Sequence, residues 1–170
     1  KLPDPCRVVF LCLGHGKTKE VFDLGWIPTR AKVIDWSADA RWELTQEKYS
    51  ERHLCCGKKF VYGLAELQPS IIRKAHFVAN PGCFATAIQL ALLPLANQGE
   101  LHEEVHVSAI TGSTGAGAHL SSTTHFSWRS NNASIYKAFT HQHLGEIRAS
   151  ISSLQSVSYT HLTLPTSYAV

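Results

Sequence analysis

Cys83 closes the run Val78-Ala-Asn-Pro-Gly-Cys83 and opens the run Cys83-Phe-Ala-Thr-Ala87. An apolar segment that reads as a strand ends there, Pro81-Gly82 turns the chain, and Cys83 falls at the start of a predicted long helix. Unpaired N–H groups give a helix N-terminus roughly half a positive charge. That charge favours thiolate over the thiol, whose free pKa is about 8.5. A cysteine so placed can act as a nucleophile. The same position also suits a buried structural cysteine at a strand–helix junction.

A thiolate nucleophile needs a proton carrier. Thr140-His-Gln-His-Leu-Gly-Glu146 offers His141 and His143 two residues apart, just ahead of a helical pattern. In extended backbone both rings would share a side. Two histidines with a nearby glutamate could also hold a metal, but a third ligand at recognisable spacing is missing. His53-Leu-Cys55-Cys56 is a poorer metal candidate, because adjacent cysteines rarely ligate one ion together. Neither place reads primarily as a metal site.

The elements that would carry these residues alternate. Arg7–Leu13 is an apolar run read as a strand covered on both faces, with Cys12 inside it, and it ends at Gly14-His15-Gly16. Lys17–Leu24 is predicted helical, Lys32–Asp35 a second strand, and Trp42–Lys59 polar and irregular. Leu64–Ala75 has helical spacing interrupted by Pro69, and His76–Ala79 is a third strand. Cys83–Asn97, rich in Ala, Leu, Ile and Gln with Gly99 as a stop, is the best helix in the chain. Glu104–Ile110 alternates as a half-buried strand and runs into Thr111-Gly-Ser-Thr-Gly-Ala-Gly117. Residues 118–135 read as loop, and Leu144–Leu154 as helix. Strands alternating with helices mean an α/β architecture, at least up to Cys83.

Composition narrows the class. The 170 residues carry 16 Lys plus Arg against 13 Asp plus Glu, 44% hydrophobic residues, 11 Gly and 7 Pro. These values exclude collagen-like and disordered chains, and about 18 consecutive apolar residues, enough to span a membrane, occur nowhere. Basic residues are scattered, so no nucleic-acid face is expected. Five cysteines without C-x-x-C spacing fit a reducing, cytoplasmic setting. The ten histidines and the absence of Met are less ordinary. A start at Lys-Leu-Pro-Asp-Pro leads to the expectation of a piece of a longer reading frame. From Val157 onward the run Ser158-Tyr-Thr-His-Leu-Thr-Leu-Pro-Thr166 does not continue the preceding helix. It reads as a non-native read-through tail outside the fold.

Val78 to Pro94, V-A-N-P-G-C-F-A-T-A-I-Q-L-A-L-L-P, resembles the active-site signature of the N-acetyl-γ-glutamyl-phosphate reductases. Val9–Gly16, Val33–Asp39, Val61–Leu67, Thr111–Gly117 and His141–Ile147 agree in order, so the resemblance covers about residues 7–155. It implies the later part of a Rossmann-type NAD(P)-binding domain over 1–82, lacking its N-terminal Gly-rich loop. That part would join the start of an α+β semialdehyde-dehydrogenase catalytic and dimerisation domain over 83–156, with 157–170 as the tail.

The resemblance further implies an NADPH-dependent oxidoreductase of arginine biosynthesis that converts N-acetylglutamyl phosphate to the semialdehyde through a Cys83 thioester. His141 would be the acid/base partner, with His143 the next candidate. Gly112, Ser113, Gly115, Ala116 and Gly117 would lie beneath the nicotinamide. Gly14, His15 and Gly16 would make a further cofactor contact. Asn80 and Arg41 would face the substrate, Arg41 holding its phosphate unless it is only a solvated surface residue. Members resemble homo-oligomers, dimers or tetramers. Where Gly14, Ala65 and Gly145 stand the family usually has Pro. Other readings share parts of this pattern: a lysine-pathway aminoadipyl-phosphate reductase, a Cys–His hydrolase or acyltransferase, and an inactive piece that associates through exposed apolar faces.

Overall fold

The computed structural model describes residues 5–41, 54–101, 104–117, 121–151 and 157–164. The chain divides into two compact units, one of 1–101 with 145–153, the other of 102–144 with 154–170.

The first unit is built on four short parallel strands. They are β1 (Val8–Leu11), β2 (Lys32–Asp35), β5 (Val61–Tyr62) and β6 (Phe77–Ala79), hydrogen-bonded in the order β1-β2-β6-β5. A two-residue antiparallel pair, β3 (Leu54–Cys55) and β4 (Lys58–Lys59), precedes β5. Parallel neighbours need crossovers. Helix α1 (Thr18–Asp23) lies between β1 and β2, and α2 (Pro69–Lys74) between β5 and β6. Pro69 starts α2 instead of interrupting it, because proline's missing N–H costs nothing in a first turn. Helix α3 (Cys83–Asn97) has the predicted bounds.

The core of this unit groups Val9, Leu11, Val21, Ala31 and Val33, with Phe22 and Phe77 packed against it. Phe22 and Phe77 also meet Phe60, ring centroids 5.5–6.2 Å apart, and tie in Ala40, Cys55 and Ala79. Two expectations change here. Strand side chains alternate between faces, and while Val9 and Leu11 are buried, Val8 and Phe10 are 45% and 58% exposed. One face of β1 is therefore open among the described residues. Cys12 lies past the end of the strand and is exposed, not buried within it.

The second unit holds a three-stranded sheet in the order β7-β9-β8, from β7 (Val105–Gly112), β8 (Ser134–Tyr136) and β9 (Val157–Leu164). Two 3₁₀ turns, Ser113–Ala116 and Ser122–Thr124, and helix α4 (Phe126–Arg129) lie between β7 and β8. The stretch 118–135, read as loop, thus contains short elements where it is described. The segment set aside as a tail forms β9, parallel to β7 and antiparallel to β8. Helix α5 (His143–Ser150) begins in the second unit, and its residues from Gly145 onward belong to the first.

Candidate active site

Cys83 is exposed and is the first residue of α3. Gly82 caps the helix with extended backbone, and its C=O accepts from the Thr86 N–H at 2.8 Å and the Thr86 hydroxyl at 2.9 Å. The approach to this turn is pinned from both sides. The Asn80 N–H donates to the Asp35 C=O at 2.7 Å, extending the β2–β6 ladder, and the Gly63 N–H donates to the Ala79 C=O at 2.8 Å. Gly63 has no room for a side chain. A Cβ there would stand 2.8 Å from Val78 Cγ1, 3.0 Å from the Ala79 oxygen and 3.4 Å from Pro81 Cδ.

Beneath the turn lies a buried polar network centred on Glu146 of α5. Glu146 Oε2 accepts from the Gly82 N–H at 3.0 Å and from the Tyr62 hydroxyl at 2.8 Å. Its Oε1 accepts from Arg41 Nη1 at 2.9 Å, with the two side chains 5% and 6% exposed. Arg41 Nε donates to the Ser37 C=O at 2.9 Å. Gln89 on α3 donates through Nε2 to the Tyr62 oxygen, which directs the Tyr62 proton onto Glu146. Burial, then the Glu146 charge, push the Tyr62 phenol well above its ordinary range. Buried ions persist only when paired and hydrogen-bonded, and this carboxylate meets both conditions. Arg41 is thus not a solvated surface residue: its guanidinium is buried and held by Glu146 and Ser37.

The Gly14-His15-Gly16 loop at the carboxyl end of β1 is also held by acids. Asp39 accepts from the Gly16 N–H at 2.7 Å and the Thr18 N–H at 3.1 Å, supplying α1 with a cap its own Lys17 does not provide. Asp35, fully buried, accepts from the Thr18 hydroxyl and from the Ser37 N–H and hydroxyl at 2.8–2.9 Å. The Ala38 N–H donates to His15 Nδ1 at 2.9 Å. Gly14 and Gly16 take φ of +83° and +81° with open space where a Cβ would be. Their need for glycine is therefore conformational, and it leaves bare backbone outward.

In the second unit, Gly112 leads into the turn Ser113–Ala116, and the Gly117 N–H closes it on the Thr114 C=O at 3.0 Å. Gly117, at φ +78° and ψ −164°, has backbone open essentially to glycine alone. His141 and His143 are both buried, with ring centroids 4.5 Å apart, and Tyr136 lies edge-on to His141 at 6.0 Å. His141 Nδ1 accepts from the His143 N–H at 3.2 Å, so the neutral ring carries its proton on Nε2. Cys83 and His141 belong to different units. No three His, Cys, Asp or Glu side chains among the described residues form a metal-binding group, and His53 lies outside those residues.

Sequence reasoning missed the network residues. Glu146, Tyr62 and Gln89 all lie within quoted motifs, yet spacing alone cannot show that positions 41, 62, 82 and 146 converge. The usable signal was an acid in an otherwise apolar helix start, Leu144-Gly-Glu-Ile147.

The chain is 55% identical over 149 residues to an N-acetyl-gamma-glutamyl-phosphate reductase from Flavobacterium johnsoniae, covering 88% of this chain and 44% of that protein. It is 53% identical over 145 residues to one from Azobacteroides pseudotrichonymphae, covering 85% and 42%. The chain therefore spans less than half the length of these relatives. Among solved structures it is similar in fold to aspartate semialdehyde dehydrogenase II complexed with ASA from Vibrio cholerae. That match has a TM-score of 0.64 at 14% identity, over 94% of this chain and 52% of that one. Residues 83–169, starting at the exposed cysteine and running through β9, match the family described as semialdehyde dehydrogenase, dimerisation domain. On this match the chain belongs to the semialdehyde dehydrogenase family.

Proposed function

We propose that this chain is the nucleophile-bearing part of a cytoplasmic NADPH-dependent reductase, a homo-oligomer, acting on N-acetyl-L-glutamyl 5-phosphate. The observation that carries the reading is Cys83, exposed at the first residue of α3 on a turn held by buried polar contacts. The identity of about half of all aligned residues with N-acetyl-gamma-glutamyl-phosphate reductases supports the substrate.

In this reading Cys83 attacks the acyl carbon as thiolate, the C–O bond to phosphate breaks, and a thioester remains on the sulfur. Bound NADPH would supply the hydride that takes the thioester to the aldehyde level. His141, with its proton on Nε2, donates to the oxyanion that develops on the carbonyl oxygen and recovers that proton when the C–S bond breaks to release the semialdehyde. His143 is the second candidate for that proton. The outward backbone of Gly14, His15 and Gly16 fits a cofactor phosphate or ribose, consistent with a Rossmann-type first unit. The turn of Gly112, Ser113, Gly115, Ala116 and Gly117 fits close approach of a flat ring. Asn80 and Arg41 serve the substrate side. A guanidinium has five N–H donors, so Arg41 can keep Glu146 and still offer an edge to a phosphate.

The half-reaction is testable on the chain itself. Incubation with N-acetylglutamyl phosphate is expected to release inorganic phosphate and add one N-acetylglutamyl group to Cys83, read by mass spectrometry, with neither event in Cys83→Ser. Catalytic phosphate release without a trapped acyl group and without dependence on NADPH would favour the Cys–His hydrolase instead. Equal acylation by the one-carbon-longer aminoadipyl phosphate would favour the lysine-pathway substrate.

A further inference from the structure

We infer that Glu146, neutralised by Arg41, is a positioning residue for the nucleophile: it holds the Gly82 N–H so that Cys83 opens α3, and it does so without leaving net charge under the helix N-terminus. The inference rests on Cys83 being the nucleophile of the reading above.

Among the described residues the Glu146 carboxylate accepts from Arg41 Nη1, the Tyr62 hydroxyl and the Gly82 N–H. They come from the segment after β2, from β5, and from the residue adjacent to Cys83. One side chain thus ties the nucleophile turn to two other parts of the first unit, and the tie is buried. A lone carboxylate there would oppose thiolate formation at Cys83 by like charge, and a lone guanidinium would favour it. As a pair their charges oppose each other. A neutral glutamine cannot do the same work, since its amide N–H₂ would have to face a donor.

The experiment is the rate of Cys83 alkylation by iodoacetamide against pH, measured on the whole chain and needing neither NADPH nor acyl phosphate. A failed reductase reading therefore leaves it interpretable. Glu146→Gln leaves the Arg41 cation unpaired and is expected to move the midpoint down. Arg41→Met takes the Arg41 cation from the carboxylate and is expected to move it up. Each shift corresponds to a change of the order of tenfold in rate below the midpoint. The double variant Arg41→Met/Glu146→Gln and the charge-keeping Arg41→Lys are expected to return close to the wild-type midpoint. Opposite shifts with recovery in the double variant would establish the role. Shifts of one sign in both single variants would mean simple disordering and overturn it, as would an unmoved profile. If a single variant loses its cooperative melt, Arg41→Lys and the double variant decide, because a displaced midpoint in either contradicts the inference.

Discussion

Glu146 Oε2 lies 3.0 Å from the main-chain nitrogen of Gly82, 64 residues earlier in the chain. The contact places the first turn of a downstream helix against the turn that presents Cys83, and Arg41 balances its charge at 2.9 Å. Breaking a buried pair by removing one partner costs about 3–5 kcal/mol, because the remaining charge stays buried. Glu146→Ala is expected to destabilise the first unit by that order, read by urea unfolding. A loss under 1 kcal/mol would mean that water replaces the carboxylate without penalty.

Gly63 makes a separate prediction about space. Its hypothetical Cβ falls within 3.0 Å of Val78 and the Ala79 oxygen, and the second of these is backbone that cannot turn aside. Gly63→Ala is expected to cost about 1–3 kcal/mol and to loosen the β5–β6 pairing. Hydrogen exchange at the Gly63 and Ala79 amides would show that loosening, and unchanged protection would refute it.

Tyr62 predicts an alkaline limb. Burial first, and the Glu146 charge second, raise its folded-state pKa above the ordinary value of 10.0. Above that pH the unfolded chain loses the phenolic proton while the folded chain keeps it. Stability is therefore fully present below about pH 10 and declines as pH rises further. Tyr62→Phe is expected to remove this component, so the stability difference between the two proteins should narrow from pH 9 to pH 11. A constant difference would show that Tyr62 does not titrate this way.

Asp39 predicts a link between cap and loop. It accepts from both the Gly16 and Thr18 N–H groups. Losing a cap acceptor costs about 0.5–2 kcal/mol. Asp39→Ala is expected to lower stability by this amount and to weaken binding of an NADPH-like dinucleotide, followed by fluorescence titration. Weaker stability with unchanged dinucleotide affinity would detach the loop from the cofactor.

The chain from Val157 onward makes the last prediction. Among the described residues, β9 pairs with β7 and β8 of the second unit, whereas the Glu146 network lies within the first. A chain ending at Ser156 is expected to keep the wild-type Cys83 alkylation profile. A changed profile would show that β9 supports the nucleophile turn.

Much of this protein is local and therefore legible in its residues. The bounds of α3 follow from helix-forming residues between Gly82 and Gly99, and β2 from a short apolar run that ends where Asp35 bonds its own neighbours. The position of Cys83 at a helix start is likewise written in Asn-Pro-Gly-Cys. Tertiary structure decided what periodicity cannot encode. An apolar strand pattern looks the same whether one face or two are covered, so the open side of β1 emerged only from packing. Pairing of β9 depends on backbone groups that every residue carries. The partnership of Arg41, Tyr62, Gly82 and Glu146 joins positions up to 105 apart. Convergence of that kind is a property of chain topology, and low local dielectric then makes it matter: once water is excluded, each buried charge must find the partner that the fold, not the motif, brings to it.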